Sequence, residues 1–161
     1  MPTPFNADEV FEMAEEIERN GAKFYRAAAK KFRSLSDTML DLAAMEDQHE
    51  KTFAQMRAKL SETEKEPLIF DPDDEAGMYL RAMADGHVFN VRIDPAQKLA
   101  GCQTAKDVLK AAIGLEKDSI AFYVGLRESV SAKAGGDKIQ GIIREEMGHI
   151  AVLNNKLIAL K

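Results

Sequence analysis

The sequence has a single cysteine, Cys102, and that scarcity closes off two architectures at once. No disulfide can form within the chain, and no four-cysteine iron or zinc site can be built from it. Any metal must therefore be held by oxygen and nitrogen ligands. Basic clusters are equally scarce: 27 acidic residues outnumber 22 basic ones, and Lys and Arg nowhere bunch together. Such a chain lacks the means to neutralise a phosphate backbone, which argues against nucleic acid as a partner. No segment approaches the roughly 18 apolar residues that span a bilayer, and the N-terminus lacks a basic stretch followed by an apolar one. The expectation is a soluble, cytoplasmic protein with no membrane partner. Glycine and proline number only 10 and 5, and they fall in a few places.

Between those places apolar residues recur at steps of three and four rather than two, which is the period of helix. With 161 residues and 45% apolar content, the chain suits one all-α domain with a proper core. Asn6 can cap a first helix, A, over about 7–33, with Asp8 and Glu9 placed at the positive end of its dipole. Short polar side chains around Ser34 to Asp37 offer a turn and a new cap for helix B, over about 36–60. The short joint makes A and B antiparallel neighbours. Pro67, Pro72, Pro95 and Gly101 break up a long crossover with room for one short helix over about 73–87. Thr104 then caps helix C, over about 104–132, and Gly135 with Gly136 separates it from helix D, over about 136–160. The expected fold is a four-helix bundle with a long crossover between B and C.

Each helix of such a bundle needs an apolar seam stepping alternately by three and four. Helix A supplies Phe11, Ala14, Glu18, Gly21, Tyr25, Ala28 and Phe32; helix B supplies Met39, Leu42, Glu46, His49, Phe53, Met56 and Leu60. Helix C supplies Leu109, Ala112, Glu116, Ser119, Tyr123, Leu126 and Val130; helix D supplies Ile139, Ile142, Glu146, His149 and Leu153. One glutamate interrupts every seam near its middle. Rotating a helix by one position would turn that glutamate outward, but it would also expose Phe11, Phe53, Leu126 or Ile142.

The two halves repeat. Glu18 and Glu116 are each followed, seven positions on, by the second residue of a Phe-Tyr pair, Tyr25 and Tyr123, at an offset of 98. Glu46 with His49 and Glu146 with His149 are both E-x-x-H, at an offset of 100. A pseudo-twofold bundle follows.

Glutamate is among the residues least often fully buried, and an isolated ionised carboxylate in a core costs several kcal/mol or takes up a proton. Four at one level call for cations. Residues three apart share a helix face, so each E-x-x-H offers a carboxylate oxygen and an imidazole nitrogen to one region. Four carboxylates balance two divalent metals, with neutral histidines adding nothing. Mixed oxygen and imidazole ligands suit iron or manganese, and the lack of thiolates speaks against structural zinc or copper electron transfer.

This arrangement resembles the ferritin-like superfamily of di-iron carboxylate proteins, and its rubrerythrin-type branch in particular, over all four long helices. The resemblance implies two iron ions, with manganese, a mixed iron and manganese pair or adventitious zinc as alternatives. It makes Glu46 and Glu146 the bridging carboxylates, Glu18 and Glu116 the terminal ones, and His49 and His149 one nitrogen ligand per metal. Tyr25 and Tyr123 match the family's tyrosines that hydrogen-bond the ligands, lying two turns along the same face from a glutamate; the other reading is plain core aromatics.

The departures bear on function. Rubrerythrin resembles this chain plus a rubredoxin-like module with paired C-x-x-C motifs, so electrons here are expected from an external donor protein. Rubrerythrin also has glutamates where this sequence has Ser119 and His149, which brings the ligand set nearer that of bacterioferritin. Ferritin cages use a further short helix, whereas this chain ends at Lys161 after helix D, so a storage cage is not expected. Family members commonly dimerise, and a homodimer is expected. Gly21 and Ser119 face the site with small side chains, which suggests an access pocket between them for peroxide or dioxygen. His87 reads as a capping or exposed histidine; Glu50, Glu145 and Asp118 point about a hundred degrees from the ligands and read as solvated or ion-paired. Cys102 reads as a loop thiol, and the methionines as core filler. Three functions stay open: reduction of peroxide or dioxygen at the di-metal pair, ferroxidase or iron handling without a cage, and a non-catalytic helical scaffold.

Overall fold

The computed structural model describes residues 6–60, 73, 75–84, 94–130 and 135–160. Its elements are α1 (Ala7–Lys31), a 3-10 turn (Arg33–Leu35), α2 (Ser36–Ala58), α3 (Glu75–Ala84), α4 (Pro95–Ala100), α5 (Ala105–Ser129) and α6 (Gly136–Ala159). The four long helices form the bundle, and none of the described helices is long and apolar enough to cross a membrane.

The helix starts follow local chemistry. Asn6 Oδ1 accepts from the Glu9 backbone N–H at 2.9 Å while Glu9 returns a carboxylate to the Asn6 N–H at 3.0 Å, closing a capping box. Thr104 and Asp107 repeat the device at α5, at 3.0 and 3.1 Å. α2 begins differently from expectation: no side chain caps it. The chain instead runs through the 3-10 turn with Leu35 buried at the joint, so packing rather than a polar cap fixes the entry. At the start of α6 Gly135 sits at φ 118°, a left-handed conformation that glycine adopts without penalty.

Among the described residues the crossover holds two short helices, where one was expected. Pro95, read from the sequence as a breaker, is the first residue of α4, where its missing N–H costs nothing, and Asp94 caps it through the Ala96 N–H at 2.9 Å. Lys31 Nζ donates to the Leu99 and Cys102 carbonyls at the end of α4, pinning it to α1. α3 packs on α5, where the Tyr79 hydroxyl donates to the Ala121 carbonyl at 2.6 Å. Of the expected 73–87 it covers Glu75–Ala84, and residues 85–87, His87 among them, and 131–134 lie outside the described residues.

Two apolar clusters form the core. One gathers Phe11, Phe53, Met56, Phe122, Leu126 and Ile142 toward one end; the other gathers Phe24, Leu35, Met39, Leu109 and Leu153 toward the opposite end. α1 packs chiefly on α2 and α5 on α6, so the bundle is two antiparallel pairs brought together. The mid-seam glutamates lie between the two clusters, where water is excluded.

Candidate metal centre

All six seam residues proposed as ligands meet in that middle layer. Glu18 and Glu146 have no exposed surface, and Glu46, His49, Glu116 and His149 are 2–3% exposed. All four long helices contribute: Glu18 from α1, Glu46 and His49 from α2, Glu116 from α5, Glu146 and His149 from α6. The imidazoles stack with centroids 5.6 Å apart, and each turns Nδ1 toward the carboxylates. His49 Nδ1 lies 2.8 Å from Glu146 Oε1 and 3.4 Å from Glu18 Oε2. His149 Nδ1 lies 3.1 Å from Glu46 Oε1 and 3.4 Å from both Glu116 and Glu146.

These approaches are close, yet they lack hydrogen-bond alignment. Among the described residues, Glu18 Oε2, Glu46 Oε1, both oxygens of Glu146 and Nδ1 of both histidines have no hydrogen-bond partner. A buried carboxylate with an unpartnered oxygen costs several kcal/mol, so a cluster of them is the signature of groups aimed at something else. The donors sort into two overlapping sets, Glu18, Glu46, His49 and Glu146, and Glu46, Glu116, Glu146 and His149, with the atoms of each set within 4.8 Å of one another. Oxygen and imidazole donors at that spacing fit two cations sharing Glu46 and Glu146.

Without a cation the carboxylates crowd one another. Burial, reinforced by the charge of Glu146, holds Glu18 well above the ordinary carboxyl range. Burial and the charge of Glu18 do the same to Glu46, and burial with the contact to Glu146 pushes Glu116 up to about 8. Glu146 is the exception: burial would raise it, but the groups converging on it from Glu116, His149 and His49 outweigh that and leave it below the usual value. Burial alone would lower His149, but Glu116, Glu146 and Glu46 around it push it up to about 12. His49 is raised in the same way, burial being outweighed chiefly by Glu146.

Outer contacts complete the frame. Tyr25 donates to Glu116 Oε1 and Tyr123 donates to Glu18 Oε1, each across the α1 and α5 interface. Burial, then the neighbouring carboxylates, hold both phenols well above their ordinary value, so they remain donors. Glu50 pairs with Arg19 at 2.8 Å, away from the centre. Glu145 is exposed and ion-paired, as its sequence reading allows, but its partner is one of the ligand candidates. Its side chain is 56% exposed, but Oε2 bends back to 2.5 Å from Nε2 of His49. A glutamate is long enough to reach inward from a flank of its helix, and seam spacing does not register that reach.

The space expected between Gly21 and Ser119 is taken up on the Gly21 side by a site carboxylate. A Cβ at Gly21 would stand 3.1 Å from Glu46 Oε2, so the Glu46 carboxylate fills the space the glycine leaves. Ser119 turns its hydroxyl to the Leu115 carbonyl at 3.0 Å. A cleft of about 440 Å³ instead reaches His149 between α2 and α6, past Thr38, Asp41, Met45, Gly148 and Val152.

Four helices that converge buried carboxylates and paired imidazoles on one level offer the donor groups a metal-binding bundle needs. The chain is a member of the ferritin-like domain family, whose model matches residues 7–159. Its backbone is similar to the crystal structure, at 2.30 Å, of a Thermotoga maritima protein provisionally described as a ferritin-like diiron-carboxylate protein. The two are 24% identical, with a TM-score of 0.76 over 98% of this chain and 97% of the other, a likeness that shows the fold. No curated protein matches the chain.

Proposed function

We propose that the chain binds two iron ions on Glu18, Glu46, His49, Glu116, Glu146 and His149, and reduces hydrogen peroxide or dioxygen with electrons from a separate donor protein. The observation that carries this reading is the pair of ligand sets sharing Glu46 and Glu146. Two divalent cations balance four carboxylates, and oxygen with imidazole donors favours iron or manganese. The diiron description of the similar Thermotoga maritima protein supports the choice of iron. Iron held there would pass the donor's electrons to the oxidant by cycling between its ferrous and ferric states.

The chain's own residues would do the rest. Glu46 and Glu146, from opposite helix pairs, would hold the two ions together, while Glu18 with His49 and Glu116 with His149 would each complete one position. Tyr25 and Tyr123 fix the orientation of the terminal carboxylates and keep hydroxyl protons beside the site. The apolar clusters above and below exclude bulk water, and the cleft beside His149 is wide enough for a small oxidant.

A second reading, ferrous iron oxidation or buffering at the same centre, is favoured by Asp41 and Glu145 on the walls of that cleft, where they would attract a cation. Elemental mass spectrometry on untagged protein from iron-replete cells tests the shared premise. About two irons per chain are expected, lost in the Glu46→Ala, His149→Ala double variant; no iron in either would refute it. Stopped-flow mixing of the ferrous protein then separates the readings. Faster oxidation by peroxide than by dioxygen, with the iron retained, supports the reductase; oxidation by dioxygen followed by release of ferric iron supports iron handling.

A further inference from the structure

The pseudo-twofold that relates Glu46 to Glu146 and His49 to His149 breaks at the residue just before each glutamate. On α6 that residue is Glu145; on α2 it is Met45. Both sit about 100° around the helix from the glutamate, on the flanks by which α2 and α6 face each other. The consequence for the two imidazoles is unequal. Glu145 Oε2 stands 2.5 Å from His49 Nε2, so it accepts the Nε2–H and leaves the Nδ1 lone pair directed at Glu18 and Glu146. Met45 offers only a thioether, a weak acceptor. His149 Nε2 has no hydrogen-bond partner among the described residues, although the residue is 2% exposed, and His149 itself lines the cleft.

We propose that the two metal positions are not equivalent. The position built on Glu18 and His49 holds its divalent cation tightly, with Glu145 as the residue that positions its imidazole. The position built on Glu116 and His149 exchanges its cation through the cleft between α2 and α6. This rests on the metal-centre reading above and deepens it. A carboxylate behind a ligating histidine fixes both ring orientation and tautomer, and losing such a partner typically costs about 10- to 100-fold in metal affinity. His149 lacks that support, and its cleft gives a hydrated ion a path in and out past Asp41.

Titration of the metal-free full-length protein with Co²⁺, followed by calorimetry and by the visible absorption of the bound ion, tests the proposal. The expected result is two one-ion steps separated by about tenfold or more. Glu145→Ala should weaken the first step by about 10- to 100-fold, leave the second unchanged, and alter the absorption that accompanies the first equivalent. Glu145→Gln, whose amide oxygen still accepts from Nε2–H, should recover part of that loss. Met45→Glu, at a position 40% exposed and therefore tolerant, should tighten the second step and narrow the gap. Two equal steps in the unaltered protein, or unchanged constants in Glu145→Ala with the helical spectrum intact, would overturn the inequivalence while leaving the metal centre standing. No Co²⁺ uptake by the unaltered protein would overturn both.

Discussion

The Tyr25 hydroxyl on α1 donates to Glu116 on α5, and the same bond runs the other way between Tyr123 and Glu18, so each phenol braces the glutamate of the opposite half. Both phenols are 0–1% exposed. Removing one donor strands a buried carboxylate oxygen, which costs about 1–3 kcal/mol. Tyr25→Phe and Tyr123→Phe should each lower stability by that amount in urea unfolding. Because both tyrosines belong to one carboxylate network, the double variant should depart from additivity by at least about 0.5 kcal/mol. Wild-type stability in either single variant would mean that these bonds are absent in solution.

Four carboxylates confined without cations also set stability against function. Burial and Glu18 already favour the protonated form of Glu46, and glutamine reproduces that form permanently. Glu46→Gln should therefore stabilise the metal-free protein by roughly 1–4 kcal/mol, several degrees in Tm. Saturating metal should stabilise the unaltered protein by about 2.7 kcal/mol at a hundredfold excess over Kd, and the variant far less. Differential scanning calorimetry with and without Mn²⁺ gives both numbers. A variant that gains stability and keeps the full metal response would remove Glu46 from the ligand set.

The raised groups fix the sign of the pH dependence. A carboxyl whose folded value lies above its unfolded one binds its proton more tightly in the fold, so its contribution is fully present below about 4.5 and is lost as pH climbs. Glu116, raised to about 8, loses its contribution between those values; Glu18 and Glu46 act in the same direction. His149, raised to about 12, contributes fully below 6.5 and loses that contribution only gradually above it. Glu146, which is lowered, opposes them. The Tm of the metal-free protein should therefore fall by roughly 5 °C or more between pH 5 and pH 8. Metal must displace these protons, so binding should release them and strengthen as pH rises. A metal-free Tm that rose across this window would contradict the crowding described here.

Much of this was legible because the signals repeat. A glutamate in the middle of four apolar seams, with E-x-x-H on two of them and matched tyrosines on the others, locates a level in the bundle without any coordinates. What stayed hidden depends on distances between helices and on side-chain reach. Pro95 was read as a break, although Asp94 before it gives the signature of a capped helix start. Azimuth alone puts Glu145 in solvent or in an ion pair on the helix flank; it does not put the carboxylate against His49. The asymmetry between Glu145 and Met45 could be found by laying one half of the sequence over the other, but its meaning needed the position of His49.

Gly21 brings two of these effects into opposition at one residue. It lies inside α1, where alanine in place of glycine should gain about 1 kcal/mol in helix propensity. A Cβ there meets Glu46 Oε2 at 3.1 Å and its Cγ and Cδ at 3.5 Å, so the carboxylate must shift by a few tenths of an ångström. In the metal-free protein Glu46 can give way, because the atom met is the far end of a flexible side chain. Propensity wins there, and Gly21→Ala should raise the metal-free Tm by a few degrees. If Glu46 holds both ions as proposed, the same shift would lengthen its bonds to them, so affinity should fall on the order of tenfold. Calorimetric Tm and Mn²⁺ titration on the same preparation distinguish these effects. A destabilised metal-free protein with unchanged affinity would show that Gly21 is conserving backbone packing rather than space for Glu46.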